Sequence, residues 1–155
     1  MQLTLVRLAG PSPQDSPGVR PIGECDLEGV GRLYAAAFPG GEVGDEATAI
    51  ADVRASWDGE YGEWLPSASL LAEVDGRAAA AILVVDSPPW DDVSDLVFII
   101  DLFTDPAHRG RGLGELLVRS ALAAVEPGRV VGLRVEDENE GAVRLYRRLG
   151  FRERS

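Results

Sequence analysis

Leu102-Phe103-Thr104-Asp105-Pro106-Ala107-His108-Arg109-Gly110-Arg111-Gly112-Leu113-Gly114-Glu115-Leu116-Leu117 reads as a strand that runs into a loop with three glycines spaced by two, the loop becoming the first turn of an apolar-striped helix. Glycines there let the backbone come close to a ligand. The free N–H groups of the helix start, reinforced by the helix dipole, form an anion site for which a diphosphate is the natural guest. A plain strand-to-helix turn needs one glycine. Gly112 and Gly114 fall where helix should already be starting, at about 1 kcal/mol each relative to Ala, so their reason lies outside folding. The dinucleotide fingerprint GxGxxG does not fit, because its third glycine falls on Glu115 in one register and on Leu117 in the other.

Downstream of this stretch, Arg111 to Val125 is predicted helical, with Leu113, Leu116, Leu117, Ala121 and Ala124 as its inner face. Val130 to Val135 follows as a strand, Asn139 to Leu149 as a last helix, and Gly150 as its stop. Upstream, Leu96 to Phe103 is a strongly β-prone strand. Ser69 to Val74 and Arg77 to Val85 form a hairpin across Asp75-Gly76. Nearer the N-terminus, Leu3 to Ala9 is a strand and Gly10 to Pro21 a turn-rich link. Two helices are expected over Cys25 to Phe38, with Asp26 as N-cap, and over Asp45 to Trp57, with Ile50, Val53 and Trp57 on one stripe. Gly59 to Pro66 then reads as a loop. The order β, α, α, β, β, β, α, β, α implies an α/β (α+β) domain with a central, mostly antiparallel mixed sheet flanked by helices.

The chain has 155 residues, enough for one domain spanning 1–155. Its 15 basic residues are all arginine, which excludes a GK[ST] phosphate loop, a Schiff-base lysine and pyridoxal chemistry. A net charge of −11 excludes nucleic acid as a sequence-independent partner. Residues 1–108 carry 5 Arg and 19 acids, a balance of −14, and residues 109–155 carry 10 Arg and 7 acids, a balance of +3. One end suits cations and the other anions. The single Cys25 reads as a buried or half-buried small residue, and one Cys with one His, His108, makes no structural zinc site. Arg7 interrupts the apolar N-terminal stretch and no run is long enough to span a membrane, so a cytoplasmic protein with no membrane partner is expected.

Two motifs then combine. Arg109-Gly110-Arg111-Gly112-Leu113-Gly114 matches the acyl-CoA loop R/Q-x-x-G-x-G/A, and Asn139-x-x-Ala142-x-x-Leu145-Tyr146-x-x-x-Gly150-Phe151 matches a helix found after it in the same family. Over residues 96–151 the sequence resembles the GNAT superfamily of N-acetyltransferases. The resemblance implies a GNAT-like domain that uses acetyl-CoA as donor, with no metal and no covalent enzyme intermediate. It implies that the backbone of Leu102, Phe103 and Thr104 pairs with the pantetheine arm, that amides from Gly110 through Arg111, Gly112, Leu113 and Gly114 to Glu115 hold the diphosphate, and that Arg109 and Arg111 add positive charge there. Asn139 would bond to the arm, and the Tyr146 phenol would protonate the departing thiolate.

Two departures stand out. Some family members place a basic Glu in the strand before the last helix, where this chain has Arg134; Asp101 is the best substitute, followed by Asp95 and Glu136, and water relaying protons from a partly neutral amine is an equally good account. The family also adds strands after Gly150-Phe151, so a shortened C-terminal end is expected, its place filled by the Pro-rich N-terminal segment or by a second subunit in a homodimer. The acceptor expected is a cationic small-molecule or peptide amine, met by Glu60, Tyr61, Glu63 and Trp64 in one loop and Trp90, Asp91 and Asp92 in another. A CoA-binding sensor or interaction module without transferase activity, and a transferase of longer acyl chains, are the alternatives.

Overall fold

The computed structural model describes residues 1–10 and 18–154, so residues 11–17 of the link expected over Gly10 to Pro21 lie outside the described residues. Eight strands form one sheet: β1 (Gln2–Leu8), β2 (Val19–Pro21), β3 (Glu63–Trp64), β4 (Leu70–Val74), β5 (Arg77–Asp86), β6 (Val97–Thr104), β7 (Val130–Glu136) and β8 (Arg152–Glu153). Four helices cover it: α1 (Leu27–Ala37), α2 (Glu46–Trp57), α3 (Leu113–Ala124) and α4 (Glu140–Arg148). The order across the sheet is β2-β4-β5-β6-β7-β1-β8, with β3 pairing β5. Every pairing is antiparallel except β6 with β7, which α3 connects. The mixed, mostly antiparallel sheet is therefore as expected.

β5 shows why this sheet needs helices on both faces. Ala80, Ile82 and Val84 join Leu117, Val118, Ala121 and Leu122 of α3 in one cluster, while Ala81 and Leu83 join Leu27, Val30 and Leu33 of α1 and Val53 of α2 in another. A strand buried on both faces loses the apolar–polar alternation and reads as one apolar run. The hairpin to β4 turns at Asp75 (φ 53°) and Gly76 (φ 76°), the left-handed pair that a two-residue turn matched to strand twist demands.

Several expectations are corrected. Val19–Pro21 and Glu63–Trp64 lie in stretches expected to be loops, yet each pairs with a longer strand that supplies the order their own length cannot. Asp26 does not cap α1 through its side chain; that carboxylate accepts from the Gly23 N–H at 2.7 Å and from Arg20 at 2.8 Å. Asp45 does cap α2, accepting from the Thr48 N–H at 2.8 Å. The buried face of α3 is Leu117, Val118, Ala121 and Leu122; Ala124 is exposed, because the helix is rotated toward Val118 and Leu122. Cys25 is exposed, since it sits in a 3-10 turn ahead of α1 and not on its inner stripe. No helix among the described residues is long and apolar enough to cross a membrane.

Candidate active site

The site is built where the sheet comes apart. Leu83 pairs with Asp101 while Val84 pairs with Ile99, so Ile100 is an extra residue that bends β6. On the other edge, the parallel pairing with β7 ends at Ile99 and Leu133. Beyond these residues the two strands diverge, and the β7-facing edge of β6 from Ile100 to Thr104 has no strand partner among the described residues. A cleft of about 1140 Å³ opens there, lined by Leu102, Phe103 and Thr104, by the glycine loop and by residues of α4.

At one end of the cleft, Asp105 stabilises the turn after β6 by accepting from the Ala107 N–H at 2.8 Å. Gly110 and Gly112 then take positive φ, both 78°, and Gly112 caps α3 in the left-handed region. The first intrahelical bond runs from the Leu116 N–H to the Gly112 carbonyl at 3.0 Å. The amides of Leu113, Gly114 and Glu115 precede it and have no acceptor within the helix. A Cβ added at Gly110 or Gly112 would meet nothing within 4 Å, so the space in front of these amides is open. An extended, polar, anionic ligand fits this combination of free strand edge and helix start.

The arginines of the loop behave differently from each other and from the expectation. Arg109 lines the cleft, but its guanidinium donates to the Ala37 carbonyl at 2.5 Å and so fastens the loop to the end of α1. Arg111 is exposed and does not line the cleft. Glu115, in the first turn of α3, is held by Arg148 at 2.7 Å, which brings a cleft-lining cation from α4 beside the helix start. His108 also lines the cleft.

α4 carries Asn139 and Tyr146. Asn139 is its N-cap, the Oδ1 accepting from the Ala142 N–H at 3.3 Å, and it lines the cleft as well. Tyr146 is buried among Leu117, Val118 and Leu133, edge-on to Phe151 at 5.7 Å, and reaches the cleft wall. Burial pushes its phenol up to about 12, so it holds its proton throughout the neutral range.

Asp101 lines the same cleft from the α1/α2 face of the sheet. Loss of hydration raises its carboxyl to about 7; the charge of Asp52 adds to the rise, and the nearby hydroxyl of Tyr34 opposes it. Asp52 in turn accepts from the Tyr61 hydroxyl at 2.7 Å. Tyr34 and Asp52 have no signature in the sequence as functional residues; each lies on a helix many residues from β6, and only the packing of α1 and α2 brings them here. Of the other carboxylates considered, Glu136 is exposed at the cleft edge and Asp95 is paired with Arg154 at 2.8 Å. Arg134 stands on β7 across the split, paired with Asp92 at 2.5 Å.

Residues 29–151 match the sequence model of the Acetyltransferase (GNAT) family. The chain is 29% identical over 145 residues to an uncharacterized N-acetyltransferase of Methanocaldococcus jannaschii, across 88% of this chain and 61% of the relative. It is 26% identical over 157 residues to the L-2,4-diaminobutyric acid acetyltransferase of Nocardia farcinica, across 93% of this chain and 78% of the relative. A GNAT-family acetyltransferase structure from Novosphingobium aromaticivorans superposes with a TM-score of 0.65 at 32% identity, over 99% of this chain and 61% of that one. The chain thus spans somewhat less than two thirds of the archaeal relative and of this solved structure.

Proposed function

The chain belongs to the GNAT acetyltransferase family, and from that premise we propose that it moves an acetyl group from acetyl-CoA onto a primary amine by direct attack within a ternary complex. One observation carries the reading: Asp101 and Tyr146, a carboxylate and a phenol that keeps its proton at neutral pH, line one cleft from opposite sides of the split between β6 and β7.

The amides of Leu113, Gly114 and Glu115 hold the donor's diphosphate, and Leu102, Phe103 and Thr104 accept its pantetheine arm as an added strand. Asn139 has a side-chain amide left over from capping with which to bind the same arm. Asp101, ionised above about pH 7, takes a proton from the entering ammonium and leaves the amine neutral. As the C–N bond forms and the C–S bond breaks, Tyr146 gives its proton to the sulfur, and the second proton shed by the nitrogen passes through water to restore the phenol.

The test is release of CoA thiol with a panel of amines, alongside calorimetry of acetyl-CoA binding. Amine-dependent release and an acetylated product are expected. Binding of acetyl-CoA with no turnover on any amine would overturn the transferase reading and leave a CoA-binding module.

A further inference from the structure

A basic side chain lines the same cleft as Asp101. Along β7, Val131, Leu133 and Val135 belong to the cluster under α3 and α4. Alternation turns Arg134 to the other face, the one that Asp101 occupies. Both side chains line the cleft.

Arg134 is fixed in place. Its guanidinium carbon lies 5.6 Å from the ring centre of Trp90 and 5.9 Å from that of Phe98. Trp90 is itself stacked on Tyr61 with centroids 6.3 Å apart. One nitrogen, Nη2, donates to both carboxylate oxygens of Asp92 at 2.6 and 2.5 Å. Nε and Nη1 make no hydrogen bond among the described residues, which leaves unused donors on a cleft-lining guanidinium. A single guanidinium already half-satisfied by Asp92 matches a monoanion better than a doubly charged phosphate.

We propose that the acceptor is a small amino acid, whose amine enters beside Asp101 and whose carboxylate is bound by Arg134. This rests on the acetyl-transfer reading above and narrows its acceptor from amines in general to amines that carry a carboxylate.

Four probes test it, glycine, β-alanine, 4-aminobutyrate and L-phenylalanine, each against its own carboxamide. Turnover is read as CoA-thiol release, and binding by calorimetry on protein saturated with CoA. In the wild type the carboxylate member of at least one pair should exceed its carboxamide about tenfold in kcat/KM. Arg134→Met should bring the two within about twofold through a higher KM for the carboxylate, with acetyl-CoA affinity unchanged. Arg134→Gln serves the same purpose if the Met variant does not fold, and Arg134→Lys should keep part of the preference. Equal use of both members, a preference for carboxamides, or an equal loss for both in Arg134→Met would overturn the proposal and leave acetyl transfer standing. Carboxylates that bind in an Arg134-dependent way without turnover would support the site and count against the transferase reading; carboxylates that neither bind nor react would overturn it.

Discussion

Asp101 on β6 and Tyr146 on α4 line one cleft from opposite faces of the sheet, beside the split between β6 and β7. Tyr146 is buried with no charged neighbour contributing to its raised pKa, so it stays a neutral phenol, the form that the proposed proton donation requires. Tyr146→Phe should lower kcat by about 10² with little change in the affinity for acetyl-CoA, because general acid catalysis contributes on that scale. Single-turnover rates and calorimetry on both proteins check this. An unchanged kcat would remove Tyr146 from the chemistry.

The helix start offers a cleaner separation of binding from folding. Gly112 caps α3 at φ 78° with open space around it. Gly112→Ala should cost about 1 kcal/mol through the left-handed backbone alone. Gly112→Glu adds a carboxylate in front of the amides of Leu113 to Glu115 and should weaken acetyl-CoA binding more than tenfold at a similar cost in stability. Thermal melts and calorimetry distinguish the two substitutions, and equal acetyl-CoA affinity in both would argue against the loop as the diphosphate site.

The longer elements in their order along the chain, the glycine loop and the last helix were legible in the sequence because periodicity and turn chemistry are local signals. Tyr34, Asp52 and the pairing of Arg134 were not, because they depend on which helix crosses which strand. The bulge at Ile100 left no mark either, although it is what bends β6 at the opening. The charge arithmetic was legible as a total and misleading as a map. Arg129, Arg134 and Arg154 of the basic part pair with Asp86, Asp92 and Asp95 of the acidic part, so much of the contrast between the two halves is spent holding them together.

One of those pairs lends itself to measurement. Arg129 donates to both oxygens of Asp86 at 3.1 and 2.7 Å, joining the entry to β7 with the end of β5. This guanidinium holds the Asp86 carboxyl below the usual carboxylate range. A depressed folded-state pKa means stability that is present above the unfolded value near 3.8 and lost as pH falls through the lower folded value. Asp86→Asn should therefore cost about 1 kcal/mol at pH 7, a figure reduced for partial exposure of the pair, and the gap to wild type should close toward pH 2. Denaturant unfolding at several pH values reads it directly.

Asp101 runs in the opposite sense, and its two consequences can be set against each other. Its carboxyl is raised from 3.8 to about 7, so the folded protein binds a proton that the unfolded chain releases between those values. Stability is then fully present below about pH 4 and falls as pH rises toward 7. Asp101→Asn removes this loss, and should be more stable than wild type at pH 8 by about 2 kcal/mol and no more stable at pH 4. Activity should move the other way. In the wild type kcat/KM should rise with pH and level off above about 7, as the carboxylate becomes available to take the amine's proton. In Asp101→Asn that limb should vanish, leaving a lower rate that follows only the ionisation of the acceptor amine. A variant stabilised at pH 8 with an unaltered pH–rate profile would make Asp101 a strained carboxylate without a part in proton transfer, and the base would then have to be water.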